Sequence, residues 1–489
     1  MVVIGWIVYQ RFLSPLADVP GPFWASVTRF WYFHRISAGD MHRYTKDLHR
    51  QYGPLVRIAP DEVSCSDPEA KDIIYATNKG YTKTDFYLTQ APKLSPHGDS
   101  FTELDEKKHT SRRKMINGIF RLESVLESEK YMDNVTRAFL VRMSEFADAG
   151  ASIDMGDWVH YYTFDVIGEL FFGRMFGSVD EGKDVHGYIG AVDTVLPHAI
   201  KMGVLPKWQR YIQYLLIFSA KLWNAVQCFQ VLEVASRVLV LGRLIDNLQN
   251  ILAKQSERAD MLDKLLTVVK DKEPDFDMSD VYTESYTAIF AGSDTTAIVL
   301  RSIIYHLCRN PDMYSKLEAE IDQFQAAGQL SSFVTYAEAI KMPYLMATIK
   351  EAMRVHPPIA LTFPRHVPKG GAVISGKYFL EGSRVGVNPY VLHYQTSIFG
   401  DDAESFNPDR WFRPEASTMD RYMFQFGSGS RGCIGKHVAL SAVYKFVPQF
   451  LRAFKVELVD PDKEWTEKNA WFVKQTGINC RVIKRENMV

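Results

Sequence analysis

Apolar residues lead the chain: Val2-Val3-Ile4-Gly5-Trp6-Ile7-Val8-Tyr9 runs to Gln10 and Arg11. As a helix these eight positions reach about 12 Å, short of the roughly 20 residues that span a bilayer. Trp6 and Tyr9 flank the run and Arg11 closes it, as at a membrane interface. Residues 1–15 therefore read as an N-terminal hydrophobic membrane anchor, native or trimmed; a buried terminal strand is the alternative. No small-residue cleavage site follows, which argues against a secretory signal. Val19-Pro20-Gly21-Pro22 then makes a rigid turn. Leu55–Ile58 and Glu62–Cys65, joined by Ala59-Pro60-Asp61, predict a β-hairpin.

From about Lys107 to Leu252 the pattern is helical. It is unusually apolar between Pro197 and Leu241, at Trp208, Tyr211, Leu215, Leu216, Ile217 and Trp223. Such a surface faces lipid, lines a substrate entrance or packs in the core, and the sequence leaves all three open. Ser279 is placed to cap a helix running to about Arg309, some 45 Å long. Asn310-Pro311 supplies a cap and first-turn proline for the next helix. Pro343 opens another, which stops at His356-Pro357-Pro358. Short strands with glycine turns follow from Phe363 to Val387, then a loop to about Arg431. A helix follows Cys433, with Pro448 expected to kink or shorten it. The fold class is mainly α with small peripheral β-sheets.

At 489 residues the chain exceeds the usual domain size. No Gly/Ser or Pro-rich spacer and no repeat divides it, so residues 16–489 read as one domain. A formal net charge of −1 argues against a nucleic-acid partner, which needs a concentrated positive field. The five cysteines, Cys65, Cys228, Cys308, Cys433 and Cys480, include no CxxC pair, which suits a reducing compartment. Small buried side chains are the ordinary reading of four of them.

Cys433 differs because of its neighbours, Phe426-Gly427-Ser428-Gly429-Ser430-Arg431-Gly432-Cys433-Ile434-Gly435. Glycines permit close backbone approach and positive φ, and a following helix N-terminus favours a thiolate. The fixed positions would coincide roughly once in a million windows at average residue usage. They resemble the FxxGxRxCxG signature of cytochromes P450. That resemblance implies that Cys433 binds haem iron and Arg431 pairs with a propionate. It also implies that Phe426 packs beside the sulfur and that Gly435 lets the backbone approach.

Other segments match in order. Ala291-Gly292-Ser293-Asp294-Thr295-Thr296 is poor helix-interior chemistry between apolar flanks, a violation that points to function. It resembles the family's oxygen-binding pattern, where the helix opens; Ala291 and Gly292 would border the cofactor, and Asp294 and Thr295 would deliver protons. Glu351-Ala352-Met353-Arg354 matches ExxR, by itself most often a weak surface pair. Arg410, in Phe406-Asn407-Pro408-Asp409-Arg410-Trp411, completes the family's buried support for the cysteine loop, 23 residues before Cys433. Arg365 lies where a second propionate partner is placed. His109 stands for the tryptophan of the family's WxxxR, with Arg113 as its arginine; a solvated basic helix face competes. Phe86, Phe290, Ile359, Ala360, Thr362 and Ile478 are the pocket positions the resemblance implies. Leu16–Phe23 and Tyr52–Ile58 resemble the fungal pisatin demethylase-like branch.

The resemblance implies a monooxygenase carrying haem b, with O2 and NADPH-derived electrons as co-substrates. A separate NADPH-cytochrome P450 reductase would deliver those electrons, since no flavin or nicotinamide fingerprint occurs in the chain. The substrate would be a hydrophobic small molecule, a fungal secondary metabolite. The enzyme would be a monomer on the cytosolic face of the endoplasmic reticulum membrane. Lys107, Lys108, Arg112, Lys114, Lys436 and His437 would form a basic reductase-docking face. An electron-independent isomerase or dehydratase of the same family is the second reading, which Asp294 and Thr295 disfavour. A haem-binding sensor or carrier is the third. NADPH consumption separates both from a monooxygenase.

Overall fold

The axis of the fold is the helix Met278–Arg309. Asp277, not Ser279, caps it: the Asp277 carboxylate accepts from the Ser279 and Asp280 amides, and the Asp280 side chain accepts from the Asp277 amide. This reciprocal box satisfies donors that a lone serine would leave open. The computed structural model describes residues 1–486 except 97, 208–210, 212–219, 253–259 and 271–275. The axial helix is apolar enough to cross a membrane, yet 72% of that stretch is buried inside the protein, as in a core helix.

Helices Met155–Phe172, Ala220–Leu252, Pro343–Val355 and Lys436–Ala453 pack around it. Met155–Phe172 is buried on nearly every side, which suits its lack of a polar face. Small sheets sit at the edges. The largest runs in the order Leu55–Ala59, Glu62–Cys65, Arg384–Val387, Arg365–His366, Thr82–Lys83. Its first pair is the expected hairpin, and Val63 then pairs with Val385 in a parallel step. A separate hairpin, Thr466–Ala470 with Phe472–Thr476, reaches into the interior. The molecule is mainly α with small separate sheets, as the sequence predicts.

Two expectations at helix ends are corrected. Asn310 holds the N-cap position with Pro311 in the first turn, but its side chain makes no cap bond; its Nδ2 instead donates to the His306 carbonyl and closes the helix behind it (2.7 Å). Pro448 does not shorten Lys436–Ala453, which runs through it for 18 residues. Buried Phe446, Val447, Phe450 and Leu451 around the proline outweigh one lost backbone bond.

The N-terminal residues form the helix Val2–Val8, continued by a wider turn over Tyr9–Leu13. Val2, Val3, Ile4, Trp6, Phe12 and Leu13 are exposed, so the segment is not a buried strand. It is moored at its end, where Arg57 donates to the carbonyls of Gln10 (2.8 Å) and Leu16 (3.1 Å). Of the apolar positions singled out after Pro197, Tyr211 and Trp223 are exposed; Trp208, Leu215, Leu216 and Ile217 lie outside the described residues.

Candidate active site

The cysteine loop closes through the Cys433 amide, which donates to the Phe426 carbonyl (2.8 Å). Gly427 and Gly429 take positive φ (67° and 64°), and a Cβ on Gly429 would lie 2.0 Å from the Tyr75 carbonyl oxygen. Only glycine fits there. A Cβ on Gly435 would meet nothing within 4 Å. Cys433 faces a cavity whose empty space, including its open mouth, is about 1860 Å³. Burial pushes the thiol up, against the Gly435 and Lys436 amides and the Arg113 charge. The amides at the helix start thus act in the expected direction, lowering the thiol, but in the protein chain alone burial outweighs them.

Cationic side chains gather on the same cavity: Lys83, Arg113, Arg365 and Arg431, with His109 among them. Arg431 donates to Glu106 (2.7 Å) and to the Glu103 carbonyl, Arg365 to the Tyr87 hydroxyl (2.8 Å), and Arg113 to the Gly432 carbonyl (3.0 Å). Both His109 ring nitrogens are buried without a partner. Burial, then Arg431, Lys83 and Arg113, push His109 down to about 3, so it stays neutral. Lys83 escaped the sequence reading because a lone lysine in a two-residue strand carries no pattern.

On the axial helix, Ala291, Gly292, Thr295 and Phe290 line the cavity. The helix does not open there: Thr295 Oγ1 donates to the Ala291 carbonyl (3.0 Å) and Thr296 to that of Gly292 (3.1 Å) within continuous helix. A Cβ on Gly292 would lie 2.7 Å from Ile167 Cδ1, so a larger residue there would have to displace the Ile167 side chain. Asp294 turns away from the cavity into the core, 3.1 Å from His160 Nε2 and 3.9 Å from Lys474 Nζ. Burial alone would raise its carboxyl, but His160, Lys474 and Arg301 hold it below the usual carboxylate range. His160 and Lys474 were invisible in sequence because they come from two distant segments.

Glu351, Arg354 and Arg410 are fully buried together. Glu351 receives Arg354 Nη2 (2.7 Å), Arg410 Nε (3.0 Å), Trp411 Nε1 (3.0 Å) and the Asn407 amide (2.8 Å). Arg354 Nη1 donates onward to the carbonyls of His393 (3.0 Å) and Ala403 (2.7 Å). His393, missed in sequence, ties this cluster to the cysteine loop. Its Nε2 accepts from the Phe424 amide (2.8 Å), so its Nδ1 carries the proton and faces the Arg354 carbonyl (3.2 Å).

A cytochrome P450 family model matches residues 19–479. The chain belongs to the cytochrome P450 family. It is 39% identical to the cytochrome P450 monooxygenase gsfF of Penicillium aethiopicum, over 99% of this chain and 96% of that protein. It is 33% identical to the cytochrome P450 monooxygenase cicH of Emericella nidulans, over 99% of this chain and 96% of that protein. A pisatin demethylase of Fusarium vanettenii is 33% identical over 96% of this chain and 89% of that protein. The chain is thus an oxygen-incorporating haem monooxygenase acting on a small molecule.

The residues present fit the haem that the family implies. An unpartnered buried His109 amid three arginines suits a dianionic group, a thiol faces the cavity, and no Cβ stands over it at Gly435. The substrate side of this P450 differs from the sequence expectation. Phe290 and Ile359 line the cavity, but Phe86, Ala360, Thr362 and Ile478 do not. Phe86 packs at a tilt against Trp471 (ring centroids 5.4 Å apart), Ala360 and Thr362 are buried among neighbouring strands, and the Ile478 carbonyl receives the Met155 amide (2.9 Å). The interior hairpin turns at Trp471 instead, presenting Trp471 and Phe472 beside Tyr87, Phe101 and Tyr286.

Proposed function

We propose that Cys433 holds the iron of haem b in a single haem domain, residues 16–489, anchored by residues 1–15. The observation carrying this reading is one cavity faced by the Cys433 thiol, the Thr295 helix and the His109, Arg113, Arg365 and Arg431 cluster. His109, Arg113, Arg365 and Arg431 would hold the propionates, since two carboxylates in an apolar cavity require partners. Phe426 would pack beside the sulfur, with Ala291, Gly292 and Gly435 as close borders. Bound haem would supply the electron storage and oxygen activation that no side chain has.

The chain's own residues would position and insulate. Thr295 can donate a proton into the cavity, and Asp294, a carboxylate at neutral pH, can pass protons along after rotating from His160. The aromatic wall of Phe101, Tyr286, Phe290, Trp471 and Phe472 suits an apolar substrate. We place that substrate among fungal secondary metabolites, on the sources of the similar proteins. NADPH-derived electrons would arrive from a separate reductase, and the exposed apolar N-terminal helix supports attachment to the cytosolic face of the endoplasmic reticulum membrane.

Reduced protein with CO tests the central assignment. Wild type should show the red-shifted band of a thiolate-ligated haem, and Cys433→Ser should lose it. If Cys433→Ser keeps that band, the assignment is wrong.

A further inference from the structure

The helix Ala220–Leu252 carries two apolar faces, and the fold uses only one. Leu232, Ala235, Leu239 and Val240 are buried against the core. On the opposite side Val231, Val234, Val238, Leu241 and Ile245 stand 43–57% exposed. Their spacing is three, four, three, four. This is the 3.5-residue period of a helix-to-helix seam, narrower than the broad stripe a helix lays against a sheet or a bilayer. β-branched residues hold the first position of each heptad (Val231, Val238, Ile245) and Leu241 one of the two fourth positions, the arrangement two-stranded pairs prefer, with Val234 departing from it. Among the described residues of this helix only Lys221, Arg237 and Asp246 are exposed and charged, where a solvated face would carry charge every turn.

We infer that this seam pairs with the same seam of a second copy of the chain. A heptad face of this kind is self-complementary, so a two-fold axis satisfies both copies at once. Arg237, beside the seam, meets Gly242 at the flanking position of a parallel partner, and no like charge opposes it. The five side chains would bury about 900 Å² in the pair, just below the roughly 1,000 Å² where specific interfaces begin. The dimer is therefore weak and reversible, in place of the monomer expected from sequence, and confinement to one membrane would favour it. A lipid-covered face is the competing outcome. The seam extends about 21 Å along the helix axis, and no aromatic residue punctuates it between Val231 and Ile245.

Sedimentation equilibrium of the full chain in a non-ionic detergent, from 1 to 100 μM, tests this. Wild type should shift from monomer towards dimer across that range, as a small reversible interface requires. Val238→Glu with Leu241→Glu should weaken it at least tenfold, with the reduced CO spectrum unchanged as proof of fold. A wild type that stays monomeric throughout overturns the inference, as does a double variant that dimerises equally well. Loss of phosphatidylcholine-vesicle binding in the variant, with monomeric mass in both proteins, would assign the face to lipid and also overturn it.

Discussion

Single side chains set the electrostatics of this site. Glu284 is buried on the axial helix, where its carboxylate accepts from the Ser100 amide (3.1 Å) and hydroxyl (3.0 Å). Burial, then Asp99, raises it from 4.5 to about 7, against Arg112 and Ser100. Between those values the folded chain keeps a proton that the unfolded chain has released. Its contribution to stability is therefore full below pH 4.5 and is lost as pH rises to about 7. Glu284→Gln cannot titrate, so it should gain on wild type across that window by roughly 3 kcal/mol and level off above it. Urea unfolding at a series of pH values measures this; a pH-independent difference would sink the argument. Thr295 makes a different kind of prediction. Thr295→Ala keeps the helix and the cysteine loop, so the CO spectrum should persist while NADPH consumption shifts from product towards hydrogen peroxide. Unchanged product per NADPH would remove Thr295 from proton delivery.

At the scale of elements, the Glu351–Arg354–Arg410 cluster joins one helix to the loop that leads into Cys433. Removing the shared carboxylate leaves the buried Arg354 guanidinium without a carboxylate and Arg410 with Asp402 alone (3.0 Å), a loss of about 3–5 kcal/mol. Glu351→Ala should show that loss in chemical denaturation, together with low haem occupancy; near-wild-type stability would make the cluster incidental. The weak i, i+3 pattern became readable only because Arg410 sits at the right distance in sequence. His393 has no such pattern, since its role depends on a loop returning to within 3 Å of the Phe424 amide. Periodicity made the helices and the first hairpin legible, because burial of one face repeats along the chain. Their ends were less so: Asp277 and Ser279 are both good caps, and only the reciprocal Asp280 bond separates them. The pocket was the least legible part. Trp471 turns the interior hairpin at φ 86°, a conformation rare for a bulky residue, so no propensity marks it as the tip. Ile478, one strand further on, looks equally apolar in sequence.

At the scale of the whole molecule, a net charge of −1 conceals a local asymmetry. Lys107, Lys108, Lys114 and Lys436 are exposed, and His437 is half-buried beside them in sequence. Arg112, expected in this group, is instead buried against Asp280 (2.5 Å) and Glu284 (3.8 Å), because its side of the helix faces the axial helix. Lys107 and Lys108 occupy the first turn of Glu106–Ile116, where the helix dipole disfavours cations by about 0.3–1 kcal/mol each. Asp105 and Glu106 offset part of that cost, but stability alone gives no reason for two lysines there. A docking role does: an acidic reductase would meet lysines carried by the helix of Arg113 and, at Lys436, by the first residue of the helix that follows the cysteine loop. Lys436 Nζ also lies 5.9 Å from the Phe426 ring, which borders the same cavity as the thiol. Surface steering of this kind is screened beyond a Debye length of about 8–10 Å near physiological salt. The second-order rate of reduction by the reductase should therefore fall about tenfold between low and high salt. Lys108→Glu with Lys114→Glu should lower the low-salt rate and flatten the salt dependence, while leaving the CO spectrum unchanged. A rate independent of salt in wild type would reject the patch. A double variant with the wild-type salt slope would move the docking face elsewhere on the molecule.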